Sequence, residues 1–257
     1  MRPFFLFVLC FSALSVSVSG DDPAQPNPHE ATVPIYRAGH WQGYDRQFQT
    51  HIDGVKKELA RKDAEIIWIG DSITNDWYKG GRKVWEKYYA PRKAVNMGLS
   101  GDRTQNVLYR LEMLKTEMAE VKPKVVIVMI GVNNIIAQYQ GLSTPENTAN
   151  GIKAIAEVLH KYYPDATVLL LHTLPTGEKP ENADRKKIDE INGYLPKLFA
   201  EDKKTVLLNT NDVFLKDGVI PRELMGDFVH PTEAGYEAWA KAVEPVLSKL
   251  LGSKPIE

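Results

Sequence analysis

The chain has 257 residues, 43% of them hydrophobic and 25% charged, with 32 basic residues against 33 acidic ones for a net charge of −1. That balance excludes the basic footprint of a nucleic-acid binder and the depleted core of a disordered chain. One cysteine, Cys10, excludes a disulfide framework.

Residues 1–20 read as a secretory signal peptide. Arg2 supplies the positive start, Phe4-Phe5-Leu6-Phe7-Val8-Leu9 opens a short apolar run, and Val18-Ser19-Gly20 precedes the acidic pair Asp21-Asp22. The run is shorter than the ~20 residues of a spanning helix, so no membrane insertion is expected after cleavage. The mature chain is expected to be secreted or periplasmic and free of cysteine. Residues 21–34, with Pro23, Pro26, Pro28 and Pro34, read as an extended leader. Residues 35–257 then read as one domain, without a repeat period or a second composition regime.

Within that domain short apolar runs alternate with segments of helical period. The runs are Ile66–Ile69, Ala94–Val95, Val125–Ile130, Thr167–Leu171 and Val206–Leu208. They are apolar at consecutive positions, as in strands covered on both faces. Between them, Val107, Leu108, Leu111 and Leu114 share one helical face, with Asp102 as the expected cap; Ile152, Ile155, Ala156 and Leu159 share another. Trp239, Val243, Val246, Leu247 and Leu250 predict a C-terminal helix starting at Pro231-Thr232. Strand–helix alternation predicts an α/β protein with a parallel sheet between helix layers. The basic cluster Arg185-Lys186-Lys187 reads as the solvated face of a helix.

In open α/β sheets, sites form beyond the carboxyl ends of the strands. Ser72, Gly98 and Asn133 each fall just past a predicted strand end, so topology alone brings them to one edge. Ser72 is the candidate nucleophile. A serine can attack only if a histidine takes its proton and a third group orients that histidine. Asp227-x-x-His230 offers both within one turn of chain. Acyl transfer also develops negative charge on one oxygen, which needs fixed donors; the Ser72 N–H, the Gly98 N–H and the Asn133 amide suit that oxyanion hole.

Gly70-Asp71-Ser72, Gly98, Gly131-Val132-Asn133 and Asp227-x-x-His230 match, in this order, the four blocks of the SGNH or GDSL-type hydrolase superfamily. The stretch from Gly98 to Leu111 resembles the catalytic subunits of platelet-activating-factor acetylhydrolase. Ile73 stands where the family's nickname has leucine. Asn134, where many members carry aspartate, agrees with the acetylhydrolase-like branch. The resemblance implies a flavodoxin-like three-layer α/β/α sandwich around about five parallel strands, a small acyl pocket and no cofactor. It makes a short-chain serine esterase the expected activity, with O-acetyl groups of carbohydrates as the foremost target, the substrate being a small-molecule or polysaccharide ester.

Three other readings stay open at this point. Cleavage of lysophospholipids or thioesters would require a long apolar trough. Ser100, in Gly98-Leu99-Ser100-Gly101-Asp102, approaches the Gly-x-Ser-x-Gly elbow but has Asp102 at the last glycine position. A metal-dependent phosphoesterase would need several His and carboxylate ligands, and His29, His40, His51, His160 and His172 show no such pairing. Nothing in the sequence gives the oligomeric state.

Overall fold

The structure is a computed structural model that describes residues 30–37, 42–136 and 143–257. The expected signal peptide and most of the leader lie outside these residues. Five strands form the sheet: β1 (Ile66–Gly70), β2 (Val95–Asn96), β3 (Val125–Met129), β4 (Thr167–Leu171) and β5 (Thr205–Leu208). Every pairing is parallel and the spatial order is β2-β1-β3-β4-β5. This is the flavodoxin-like order, whose direction of winding reverses between β1 and β3. All residues of β1 and β3 are buried, as their unbroken apolar sequence demands of strands covered on both sides.

The helices are α1 (Tyr44–Leu59), α2 (Ser72–Asn75), α3 (Arg82–Tyr88), α4 (Thr104–Met113), α5 (Lys115–Ala119), α6 (Val132–Ile135), α7 (Pro145–Tyr162), α8 (Ala183–Leu198) and α9 (Glu233–Leu251). One packed group, α4 with α7 and α7 with α8, and a second, α3 with α9, cover the sheet. The predicted apolar stripes face inward: Val107, Leu108 and Leu111 on α4, Ile152, Ile155 and Leu159 on α7, and Trp239, Val243 and Leu247 on α9 are all buried. Val246 and Leu250 lie at the margin of that face, partly buried. Thr144 and Thr232 cap α7 and α9 through their side chains.

Three local readings need correction. Asp102 does not cap α4; Arg103 stands at the cap position, its N–H bonded to Asn106 Oδ1. The Asp102 carboxylate is instead taken by the guanidinium of Arg110, two turns further on at 2.7 Å. Arg185 is not on a solvated face: it is 4% exposed and donates to the carbonyls of Thr176, Gly177 and Gly218. Finally, part of the proline-rich leader lies against the domain, since Ala31 is fully buried and its carbonyl accepts from Thr104 Oγ1 at 2.8 Å.

Behind β1 lies an aromatic cluster of Trp68, Trp77, Trp85, Tyr89, Tyr236 and Trp239. Trp77 and Trp239 stack at 5.4 Å and 10°, while Trp68 meets both edge-on. Tyr236 on α9 donates its hydroxyl to the Ile73 carbonyl at 2.7 Å. The turn that carries Ser72 is thus anchored from below by large, fully buried side chains.

Candidate active site

β1 ends at Gly70 and α2 begins two residues later. Asp71 makes that sharp start possible: its carboxylate caps α2 by accepting the Ile73 N–H at 3.0 Å. Ser72 is the first residue of α2, so its N–H has no acceptor within the helix. Its hydroxyl lies 2.8 Å from His230 Nε2.

The histidine comes from the loop before α9. One Asp227 oxygen accepts the backbone N–H groups of Val229 and His230, at 3.0 and 2.7 Å, and the other lies 2.7 Å from His230 Nδ1. A carboxylate can only accept, so Nδ1 carries the proton and Nε2 presents its lone pair to Ser72. Burial raises the Asp227 carboxyl, but the backbone and side-chain bonds from His230 outweigh it and hold the group below its ordinary value. Phe228, between them, adopts a left-handed φ of 63°, which a bulky side chain accepts only under restraint. Its ring lies under Arg222 at 4.3 Å, and its carbonyl accepts the Gly177 N–H at 2.9 Å. The Gly177 carbonyl is in turn held by Arg185.

The other wall comes from β2 and β3. Asn133, on the first turn of α6 and 4% exposed, donates one amide proton to the Asp102 carbonyl at 2.9 Å. An amide nitrogen carries two protons, so one remains. The Gly98 N–H reaches the site edge but donates to Asn96 Oδ1 at 2.8 Å. No side chain fits at Gly98: a Cβ there would sit 2.3 Å from Asn75 N and 2.6 Å from Thr74 C. Asn134 accepts the Thr104 N–H and donates to Thr104 Oγ1 and Gln105 Oε1. An aspartate there could not make the two donations, which explains the amide at this position.

Beneath the turn lies a buried charge cluster that sequence reasoning missed. Arg110, 1% exposed, binds Asp102 and also donates to the Met97 carbonyl at 2.8 Å and the Gly70 carbonyl at 3.4 Å. It therefore ties the ends of β1 and β2 together. Burial pushes Asp102 up to about 6 in spite of Arg110, and pushes Asp71 up to about 7 against the pull of the Ile73 N–H and His230. The eight-residue spacing of Asp102 and Arg110 is the only trace of this cluster in the sequence.

Ser100 does not join this arrangement; its hydroxyl accepts from Asn75 Nδ2 at 3.4 Å. Trp77 is fully buried in the aromatic cluster, while Tyr78 is 41% exposed. Among the described residues no three His, Cys, Asp or Glu side chains are grouped to hold a metal.

Residues 68–238 match the GDSL-like lipase/acylhydrolase family. The chain is 32% identical over 235 residues to platelet-activating factor acetylhydrolase IB subunit alpha2 of Homo sapiens, covering 91% of this chain and 97% of that protein. Its fold is shared with a GDSL-like lipase from Bacteroides thetaiotaomicron (TM-score 0.62, 20% identity, 77% of this chain and 97% of that one). It is shared also with an acetylxylan esterase from Geobacillus stearothermophilus (TM-score 0.57, 18% identity, 76% and 99%). Sequence match, parallel α/β fold and a serine held at the end of β1 agree: the chain belongs to the GDSL-like lipase/acylhydrolase family and is a serine ester hydrolase.

Proposed function

We propose that the protein is a secreted acetylesterase acting on O-acetylated carbohydrates, with Ser72 as nucleophile, His230 as base and Asp227 as its orienting partner. The observation that carries this reading is the pair of contacts from Ser72 Oγ to His230 Nε2 and from His230 Nδ1 to Asp227, at 2.8 and 2.7 Å. Ser72 Oγ attacks the ester carbonyl carbon while its proton passes to Nε2. The bond to the alcohol oxygen then breaks, and His230 returns the proton to the leaving alcohol. Water repeats the sequence on the acyl-enzyme, releasing acetate and the free hydroxyl of Ser72. The negative oxygen is received by the Ser72 N–H and the second Asn133 amide proton, with the Gly98 N–H joining in a three-centre bond shared with Asn96 Oδ1.

Acetyl as the acyl group is supported by two of the similar proteins, an acetylhydrolase and an acetylxylan esterase. Carbohydrate as the acceptor draws on the second of these. Export rests on residues 1–20 as a signal peptide; no helix of the described residues is long and apolar enough to cross a membrane. A panel of p-nitrophenyl esters from C2 to C16, followed by acetylated xylan, tests the reading. Acetyl esters cleaved fastest, with acetate released from xylan, is the expected result. Fastest turnover of C12–C16 esters would assign the site to long-chain lipids instead.

A further inference from the structure

A trough runs along α1 to the edge of the site. It consists of two adjoining hollows of about 160 and 350 Å³ that share Thr50, His51 and Asn75 as walls. Together they fall within the roughly 300–1,000 Å³ of small-molecule sites. The inner hollow reaches Asn96 and Gly98, and the outer one opens between Arg46, Gln47 and Leu99. Asn75 joins the trough to the chemistry. It lies three residues after Ser72 on α2, and side chains at that spacing sit on one helix face, about 5–6 Å apart.

The lining decides what can lie there. Only Val55 and Leu99 are apolar aliphatic walls, and both are at least 97% buried in the core already. Most of the open wall is nonetheless carbon, which suits the C–H faces of a sugar ring. Gln47, Thr50 and Asn75 set into it groups that both donate and accept, as a run of hydroxyls requires, and Glu58 adds a carboxyl group. Tyr78, 41% exposed, adds an aromatic face at the far end. His51 contributes no charge: burial, with Arg110 nearby, lowers it to about 3. We propose that this trough is the subsite for the alcohol half of the ester and takes a hydroxyl-rich sugar unit. The assignment rests on the acetyl-carbohydrate reading above.

Gly54 provides the test. It is an exposed residue inside α1 that lines the inner hollow, and a Cβ added there meets nothing within 4 Å. Gly54→Phe fills the trough while replacing a helix-interior glycine by a better helix former, so its melting temperature should equal or exceed that of the parent. Gly193→Phe, at an equally open position on α8, is the control. The readout is kcat/KM for acetylated xylotriose divided by kcat/KM for p-nitrophenyl acetate. Gly54→Phe should lower this ratio at least about tenfold, through a raised KM for the sugar ester, while Gly193→Phe leaves it unaltered. An unchanged ratio in Gly54→Phe, with the parent cleaving acetylated xylotriose, overturns the trough and leaves the carbohydrate reading standing. A parent enzyme that cleaves p-nitrophenyl acetate but not acetylated xylotriose overturns both.

Discussion

Asn133 donates to the backbone carbonyl of Asp102 at 2.9 Å, and the Asp102 side chain is clamped by Arg110 at 2.7 Å. The amide proposed to meet the oxyanion is therefore aimed by a buried ion pair on a different element. Asn133→Ala should lower kcat by about 10²–10³ with little change in KM, the mark of a contact made in the transition state. Steady-state kinetics on p-nitrophenyl acetate reads this directly. A rise in KM alone would make Asn133 a ground-state binding residue.

Ser72→Ala should lose several orders of magnitude in rate, and a fluorophosphonate should label Ser72 in the parent and nothing in the variant. Ser100→Ala should retain most activity, because its hydroxyl contacts Asn75 rather than a histidine. Mass spectrometry of the labelled peptide distinguishes the two serines.

Asp227 both accepts the His230 Nδ1 proton and braces the loop by two backbone bonds. Asp227→Asn keeps an oxygen for the backbone but loses the charge that stabilises the imidazolium. On p-nitrophenyl acetate kcat should then fall sharply. An unchanged kcat would show that the carboxylate does not act on His230.

The elevated Asp71 has a consequence for stability. Its folded value of about 7 lies above the ~3.9 of an unfolded aspartate. Between about pH 4 and 7 the folded chain holds a proton that the unfolded chain has released. Its contribution to stability is therefore greatest below about pH 4, falls as pH rises to about 7 and is constant beyond. The amide introduced by Asp71→Asn does not titrate. The melting temperature of Asp71→Asn minus that of the parent should climb by on the order of 10 °C across that window, whatever its offset. A flat difference would mean the carboxylate stays ionised throughout.

Arg185 reaches the Asp227–His230 loop at second hand, through the Gly177 carbonyl and the Gly177–Phe228 bond. Arg185→Met should free Phe228 to leave its left-handed conformation and cost about tenfold in kcat through a misplaced His230. Arg185→Lys should recover only part of it, since one ammonium cannot reproduce a three-carbonyl fork. Equal loss of fold and activity on melting curves would reduce Arg185 to a purely structural residue.

How much of this was legible beforehand follows from what leaves a mark in sequence. Strands buried on both faces show as unbroken apolar runs, so β1 and β3 were plain. Even the two-residue β2 showed as Ala94–Val95. The stripe of α1, Tyr44, Phe48, Ile52, Val55 and Leu59, was diluted by polar neighbours and by Gly54, and went unread. Ser72, His230 and Asp227 could be paired because Asp-x-x-His is a local spacing. Arg185 and Arg110 act on backbone carbonyls 8 to 40 residues away in the chain, and carbonyls are common to every residue. Nothing in a sequence marks which of them an arginine will meet. The same holds for Gly98, whose need to be glycine is set by the close approach of α2, and whose N–H is claimed by Asn96.

Four of the five tryptophans, Trp68, Trp77, Trp85 and Trp239, form one contiguous cluster beneath the Ser72 turn. Indole rings this close exchange excitation energy among themselves, so light absorbed anywhere in the cluster is emitted from its lowest-energy member. Emission from these four rings thereby reports on a single place, the floor under Ser72. Loosening of α3 or α9, which carry Trp85 and Trp239, changes the packing of these rings and so their emission.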